Sequence, residues 1–193
     1  MTISPGRPAN TRRLRRQAFL WLCAVLIAAP AAWAAETRDP MTHFFDQGFA
    51  NMPDEVATAK KEGKTGVLIM FETADCPWCE KMMTTVLNQV RVQEYYKKHF
   101  RTLQIDTNGD VPMTDFTGQE LAQREFAFKH NRVRATPVFA FFDLDGRLVT
   151  KHTGITQSVD EFLWLGEFVV SGQYAKTNFT AYKRERQAQA ATP

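Results

Sequence analysis

Residues 66–79 have the sequence GVLIMFETADCPWC, in which an apolar run leads into two cysteines. The run Gly66–Phe71 predicts a β-strand, and residues 80–90 predict a helix that follows the motif directly. Cys76 and Cys79 then lie on the first helical turn, where unpaired backbone amides and a partial positive charge favour a thiolate over a thiol. Two thiols with this spacing and position predict a reversible dithiol/disulfide pair.

These two cysteines are the only ones that follow the first 34 residues. A disulfide between them closes a very short loop, which stabilises a chain by at most ~2 kcal/mol, against ~4–5 kcal/mol for a loop of a hundred residues. A chain that needed a structural cross-link would not place its only pair there. The position therefore favours chemistry over structure.

A zinc site is an alternative use of two cysteines. Zinc needs two further ligands, and the histidines are scattered without the spacing that zinc ligands show. The four histidines are His43, His99, His130 and His152. We predict no metal and no cofactor.

Residues 1–34 predict a secretory signal peptide. Five arginines precede the first acidic residue, Glu36, the apolar stretch Phe19–Ala29 follows them, and Ala32 and Ala34 supply small residues for cleavage after Ala34. The alternative is a membrane anchor, but the apolar stretch is short against the ~20 residues that a membrane span needs. Cys23 lies in this stretch and is predicted to be removed with it.

Cleavage would change the charge of the protein. The whole chain has 24 basic and 21 acidic residues, and the predicted signal contains five arginines and no acid, which leaves 19 basic and 21 acidic residues. The basic character therefore belongs to the first 34 residues. Because the remaining chain has no basic patch interleaved with aromatics, we predict no nucleic-acid partner.

The remaining pattern predicts helices alternating with strands, which is typical of an α/β fold with a partly parallel sheet. Two helical pieces are expected before Gly63, the first containing Phe44, Phe45 and Phe49 and the second beginning near Pro53. The later predictions are a helix over 92–98, a strand over 100–106, a loop over 107–117, a helix over 119–130, a strand over 138–142, a turn at 143–146, a strand over 147–152 and a helix over 158–170.

Together these features resemble the thioredoxin superfamily. The strand–CPWC–helix unit, the Thr136-Pro137 step before an apolar strand and the closing hairpin and helix carry the resemblance, which covers about residues 57–170. The chain is most similar to periplasmic thioredoxin-like proteins of bacterial sulfur-oxidation systems. The resemblance implies a thioredoxin fold, a central mixed β-sheet flanked by helices, over residues 35–182. The polar composition of residues 183–193 predicts a flexible tail, and the signal peptide predicts a periplasmic location.

The resemblance also implies roles for the cysteines and the proline step. Cys76 is the exposed attacking thiolate and Cys79 the resolving thiol. Pro137 is in the cis form beside the disulfide, and the backbone of Thr136 pairs with an extended substrate segment. A trans proline at the start of an edge strand is the alternative, because cis X-Pro bonds are a minority, about 5–6% in folded proteins.

The two residues between the cysteines are candidate substrate-binding residues. Pro77 suits the first helical turn, since its missing N–H has no partner to lose there. Trp78 offers an apolar patch to an unfolded or partner chain, and simple surface packing is the alternative.

The sequence departs from ordinary thioredoxins at two positions. Met70 stands where they have a buried aspartate that helps to move the proton of the resolving thiol. Glu72 lies two residues further on, on the same face of the strand, and is a candidate substitute proton acceptor, the alternative being an exposed glutamate at the strand end. Asp75 stands where a tryptophan is usual, and its carboxylate is expected to oppose the thiolate.

The function predicted from these residues is a periplasmic reductant of protein disulfides. Its expected partners are disulfide-bearing periplasmic proteins, such as a sulfur carrier or an apocytochrome, and a membrane thiol electron carrier that keeps the dithiol reduced. The CPWC motif alone does not decide the direction of exchange. A disulfide oxidase or isomerase and a non-enzymatic binding module remain the alternatives.

Overall fold

A four-stranded mixed β-sheet forms the centre of the computed structural model, which describes residues 1–2, 36–48 and 50–191. Apart from residues 1–2, the predicted signal peptide lies outside the described residues, as does Phe49. The sheet has the order β2–β1–β5–β6, and a separate hairpin contains β3 and β4. The strands are β1 Gly66–Glu72, β2 Phe100–Asp106, β3 Pro112–Thr114, β4 Glu120–Ala122, β5 Val138–Phe142 and β6 Leu148–Thr153.

Helices cover the sheet, and two of them continue as short π-helical stretches. The helices are α1 Pro40–His43, α2 Met52–Lys61, α3 Pro77–Met82 with a π-helix over Met83–Leu87, α4 Val90–His99, α5 Gln123–Glu125 with a π-helix over Phe126–His130, α6 Val159–Val170, a 3₁₀ turn over Gln173–Ala175, and α7 Phe179–Ala190. Within the described part of the chain, no helix is long and apolar enough to cross a membrane.

Strand β1 lies in the middle of the sheet and carries the cysteine motif at its carboxyl end. It runs parallel to β2 and antiparallel to β5, and β6 extends the sheet antiparallel to β5. The predicted mixed sheet flanked by helices is confirmed. Successive side chains of β1 point to opposite faces: Leu68 and Met70 pack in the cluster that contains both cysteines, whereas Val67, Ile69 and Phe71 pack in the cluster on the other face.

The helix predicted over residues 80–90 is interrupted. Its π-helical part ends at Leu87, and Gln89 has an extended backbone before α4 begins at Val90. The cause is a tertiary contact: Gln89 forms a β-bridge with Thr37, and the Val90 amide donates to the carbonyl of Glu36. Residues 36–37, which precede α1, therefore determine where the helix is interrupted.

The first helical prediction is too long. Helix α1 ends at His43, and Phe44 and Phe45 follow it as buried core residues. The chain then runs along the free edge of β2, where the amide of Asp46 donates to the carbonyl of Thr102 (2.7 Å) and the amide of Thr102 donates to the carboxylate of Asp46 (2.9 Å). These bonds attach the segment to β2.

The predicted loop over 107–117 and helix over 119–130 are partly wrong, because strands β3 and β4 form there. The buried carboxylate of Asp115 makes the turn between them by accepting hydrogen bonds from the Thr117 amide and hydroxyl and from the Gln119 amide. Asn51 pairs with Thr114 in a β-bridge. The helical conformation starts only at Gln123.

Residues 183–190 of the predicted flexible tail are helical. Helix α7 continues to Ala190, with Phe179 and Tyr182 packed against the core. Lys183 pairs with the buried carboxylate of Glu161 (2.8 Å), and Arg186 lies 2.9 Å from Glu167. Contacts with α6 thus hold a helix whose own sequence shows little amphipathic pattern.

Candidate active site

A disulfide joins Cys76 and Cys79 at the start of α3. Cys76 is the N-cap residue of this helix, and its sulfur accepts a hydrogen bond from the backbone amide of Cys79 (3.1 Å). An amide that points at this sulfur stabilises negative charge on it once the bond is reduced, and the helix dipole adds to the effect. Both residues are largely buried, but Cys76 is 9% exposed and Cys79 only 3%. Cys76 is therefore the more accessible cysteine.

The Thr136-Pro137 step lies directly beside this sulfur. Its peptide bond is cis. The hydroxyl of Thr136 donates to the sulfur of Cys76 across 3.3 Å. The carbonyl of Pro137 accepts the amide of Gly154 (2.8 Å), which ties the step to the end of β6. The structure thus brings together Cys76 and Thr136, which are 60 residues apart in the chain.

Pro77 and Trp78 lie on the exposed side of the motif. Pro77 occupies the start of α3, as predicted. The side chain of Trp78 is 55% exposed, and the ammonium of Lys81 lies 5.6 Å from the centre of its ring. An exposed indole beside the accessible cysteine is a surface that a partner chain can cover.

Met70 and Glu72 occupy successive positions on the same face of β1, which is the face that the dithiol covers. Met70 is fully buried in the cluster with both cysteines. Glu72 is half-buried at the strand end rather than fully exposed. Burial is the main cause that raises the pKa of Glu72; a hydrogen bond from Gln104 acts in the opposite direction, and the negative charge of Asp106 raises the pKa further. The proton is therefore held more tightly than on a free glutamate.

An open groove of about 510 Å³ contains both cysteines and Glu72. Three carboxylates and no lysine or arginine line it within the described part of the chain. The lining residues are Glu72, Thr73, Ala74, Asp75, Cys76, Pro77, Cys79, Glu80 and Met83. Asp75 is exposed there, and its predicted opposition to the thiolate stays a prediction.

Three features of this site were not predicted from the sequence. They are the hydroxyl contact of Thr136, the place of Met83 in the groove, and the contacts of Gln104 and Asp106 with Glu72. The last had a signal, since Gln104 and Asp106 are polar residues at alternate positions of the predicted strand over 100–106 and therefore share one face.

The histidines do not gather around the cysteines. His130 lies 3.4 Å from Asp115, His152 contacts the ring of Phe179, and His99 contacts Tyr95. Among the described residues, no group of three or more metal-binding side chains is present. The groove that holds the cysteine pair is lined by carboxyl, hydroxyl and apolar groups.

The family model of the thioredoxin-like domain matches residues 52–170, which is more than half of the chain. The chain belongs to this family. No protein of curated function matches it at a significant level. The fold and the cysteine pair support a thiol–disulfide oxidoreductase in general terms.

Solved structures with the same fold are similar only at low identity. A thioredoxin-fold protein from Helicobacter pylori is 18% identical, with a TM-score of 0.58 over 76% of this chain and 94% of that one. A putative disulphide-isomerase from Bacteroides thetaiotaomicron is 20% identical, with a TM-score of 0.50 over 65% of this chain and 91% of that one. A structure described as DsbH oxidoreductase is 14% identical, with a TM-score of 0.51 over 67% and 88%. These likenesses show the fold.

Proposed function

We propose that this protein is a periplasmic thiol–disulfide oxidoreductase that reduces disulfides of other proteins. The observation that carries the proposal is the environment of one sulfur. Cys76 caps a helix, accepts the amide of Cys79 and receives the hydroxyl of Thr136. Each of these contacts stabilises a thiolate, and the thiolate is the nucleophile in disulfide exchange.

The proposed reaction has two exchange steps. The thiolate of Cys76 attacks one sulfur of a substrate disulfide, a bond forms between Cys76 and that sulfur, and the second substrate sulfur leaves as a thiolate. The thiolate of Cys79 then attacks Cys76, the bond from Cys76 to the substrate breaks, and the Cys76–Cys79 disulfide forms. Two electrons pass from the dithiol to the substrate.

In this reaction we propose that Glu72 accepts the proton that the thiol of Cys79 loses. Cys79 is buried and must lose its proton before it attacks, and Met70 beside it has no group that accepts one. Glu72 lines the same groove, and its raised pKa makes its carboxylate a stronger base than an ordinary glutamate. Glu72 is thus proposed as the proton acceptor.

Substrate contacts are proposed for Trp78, Pro77 and the step at Thr136-Pro137. The exposed ring of Trp78, two residues after Cys76, supports its role, and we propose that the Thr136 backbone pairs with an extended substrate strand. Such main-chain pairing accepts many sequences, which suits a reductant of folded or unfolded proteins.

The location and the partners rest on the sequence. The predicted signal peptide supports a periplasmic location. After each reaction the Cys76–Cys79 disulfide must be reduced by a donor of two electrons, and we propose a membrane thiol carrier as this donor. The resemblance to proteins of sulfur oxidation makes a sulfur carrier a proposed substrate, beside an apocytochrome.

Trapping tests the proposal directly. In Cys79→Ser the mixed disulfide on Cys76 should persist, and mass spectrometry of the adduct identifies the partner. Cys76→Ala should abolish the reduction of insulin while the protein keeps its fold. Absence of any adduct while Cys76 is intact would contradict the exchange mechanism. A reduction potential above about −150 mV would indicate the oxidase alternative.

A further inference from the structure

We propose that Asp106 and Gln104 are positioning residues that tune Glu72 as the proton acceptor of Cys79, and so set the pH range of the second exchange step. This inference rests on the proposed function, which it extends to two residues of the neighbouring strand.

The strand register places the three side chains together. In the parallel pairing of β1 with β2, Glu72 lies opposite Asp106 and Met70 lies opposite Gln104. Because side chains alternate along a strand, Gln104 and Asp106 share the face that Met70 and Glu72 occupy. This is the face of the dithiol, and these positions are at the carboxyl ends of both strands.

The backbone around Glu72 is fixed by the loop that follows β2. The amide of Thr107 donates to the carbonyl of Glu72 (2.8 Å), and the side-chain amide of Asn108 donates to the hydroxyl of Thr73 (2.9 Å). The carboxylate of Asp106 is itself oriented by the backbone amide of Asn108 (2.8 Å). These hydrogen bonds therefore fix the position of the Glu72 backbone and the orientation of the Asp106 carboxylate.

Carboxylates lie near Glu72. Asp106 faces it from β2, and Asp75 and Glu80 lie with the two cysteines in the same groove. The pKa of Glu72 is raised first by burial and then by the charge of Asp106, whereas the hydrogen bond from Gln104 stabilises the carboxylate and lowers the pKa. The two neighbours thus act in opposite directions on the same group.

The consequence for the reaction follows from the strength of the base. The thiol of Cys79 gives its proton to a carboxylate oxygen of Glu72, the thiolate of Cys79 forms the bond to Cys76, and the substrate leaves as a thiolate with the electron pair of the broken bond. A base whose pKa lies nearer that of the thiol takes the proton more readily. Removal of the Asp106 charge should weaken the base, and removal of the Gln104 donor should strengthen it.

Stopped-flow oxidation of the reduced full-length protein by saturating hydroxyethyl disulfide tests this between pH 4 and pH 9, with the fluorescence of Trp78 and the other tryptophans as the signal. The first-order step reports the attack by Cys79. In Asp106→Asn the acidic limb of the profile of rate constant against pH should move to lower pH, and the plateau rate constant should fall about two- to threefold. In Gln104→Leu the acidic limb should move to higher pH and the plateau rate constant should rise. Glu72→Gln should lose the acidic limb and fall about tenfold or more.

A matched control removes the same charge elsewhere. Asp145→Asn deletes one carboxylate from the turn between β5 and β6, where Asp145 pairs with Arg147, and it should leave the profile unchanged. Carbon-13 NMR titration of the Glu72 carboxyl in the oxidised protein gives a second reading without activity: its midpoint should fall in Asp106→Asn and rise in Gln104→Leu.

Profiles of Asp106→Asn and Gln104→Leu that superimpose on the wild type, with an unmoved Glu72 titration, overturn the inference. A wild-type dithiol that hydroxyethyl disulfide does not oxidise at any pH overturns the proposed function instead. Ordinary exchange with a wild-type profile in Glu72→Gln contradicts the proton route alone. The two failures are therefore distinguishable.

Discussion

The hydroxyl of Thr136 lies 3.3 Å from the sulfur of Cys76, although 60 residues separate them in the chain. The contact joins the loop before β5 to the first turn of α3. It adds a side-chain donor to the backbone amide of Cys79, which already points at the same sulfur. Two donors from different parts of the chain thus converge on the atom that is proposed to react.

Thr136→Val should make the thiolate of Cys76 less stable, because valine keeps the shape of threonine and lacks the donor. Hydrogen bonds to charged groups contribute about 1.5–3 kcal/mol, and a long bond to sulfur less, so the midpoint of Cys76 alkylation should move up by about half to one pH unit. Iodoacetamide modification of the reduced protein across pH measures this. Thr84→Val, whose hydroxyl bonds only to carbonyls of α3, serves as the control. An unchanged midpoint in Thr136→Val would show that the contact plays no part in the reduced state.

Trp78→Ala should separate protein substrates from small ones. The ring is 55% exposed and lies beside the accessible cysteine, so its loss removes apolar surface from a docked chain without changing the sulfur. We expect kcat/KM for insulin to fall about three- to tenfold, which corresponds to about 0.7–1.4 kcal/mol, while the reduction of hydroxyethyl disulfide changes by less than about twofold. Equal losses for both substrates would show that Trp78 acts on the dithiol rather than on the partner.

The main strands were predictable because their signals are local. Residues 100–106 and 138–142 form β2 and β5 with the predicted bounds, since apolar and polar residues alternate in the first and the second is continuously apolar. Strands β3 and β4 have three residues each, which is too short for an alternation of apolar and polar residues to be recognised in the sequence. They exist because Asp115 organises the turn and Asn51 pairs with Thr114. Of these contacts, the one with Asn51 is distant in sequence, and no local pattern could indicate it.

The same distinction holds for the site. Cys76 and Cys79 could be identified from a four-residue motif and its position after a strand. The hydroxyl of Thr136 could not, because its direction depends on how the loop before β5 meets α3. Helix α7 was missed for a similar reason: its helical state depends on contacts of Lys183 with Glu161 and of Phe179 with the core.

Asp46→Asn should destabilise the fold, because Asp46 links the segment before α2 to β2 and α4. Burial alone would raise the pKa of the Asp46 carboxyl, but Lys97, the Thr102 amide and Arg101 outweigh it and hold the pKa below its usual value. We expect a loss of roughly 3 kcal/mol at pH 7 in urea unfolding. Asp54→Asn, at an exposed carboxyl, should change stability by less than about 1 kcal/mol.

The pH dependence follows from the direction of this shift. A carboxyl with a lowered folded pKa contributes stability above its unfolded pKa of about 3.9, and the contribution is lost as the pH falls through the folded value. Wild type and Asp46→Asn should therefore converge in stability toward pH 2. A difference that stays constant down to pH 2 would show that packing, not the ion pairs, causes the loss.

His152 should make the docking of α7 sensitive to mild acid. Its ring contacts Phe179 at 5.8 Å between centres. Burial lowers the pKa of His152, as does the nearby Lys183, and these outweigh the carbonyl of Ile155 and the charge of Glu161. The unfolded chain, in which a histidine titrates near pH ~6.5, then binds the proton more readily than the folded one, so stability is present above this pH and is lost as the pH falls through the folded value. In urea unfolding between pH 7.5 and pH 5, His152→Gln should lose less stability than the wild type.

His99 retains part of the slope in every variant, because burial and Lys98 also lower its pKa. Hydrogen exchange at pH 5 should locate the effect, with faster exchange in the amides of α7 than in those of α4 as the acid weakens the contact with Phe179. Identical pH slopes for His152→Gln and the wild type would show that His152 binds the proton equally in the folded and unfolded states over this range, which would contradict the prediction.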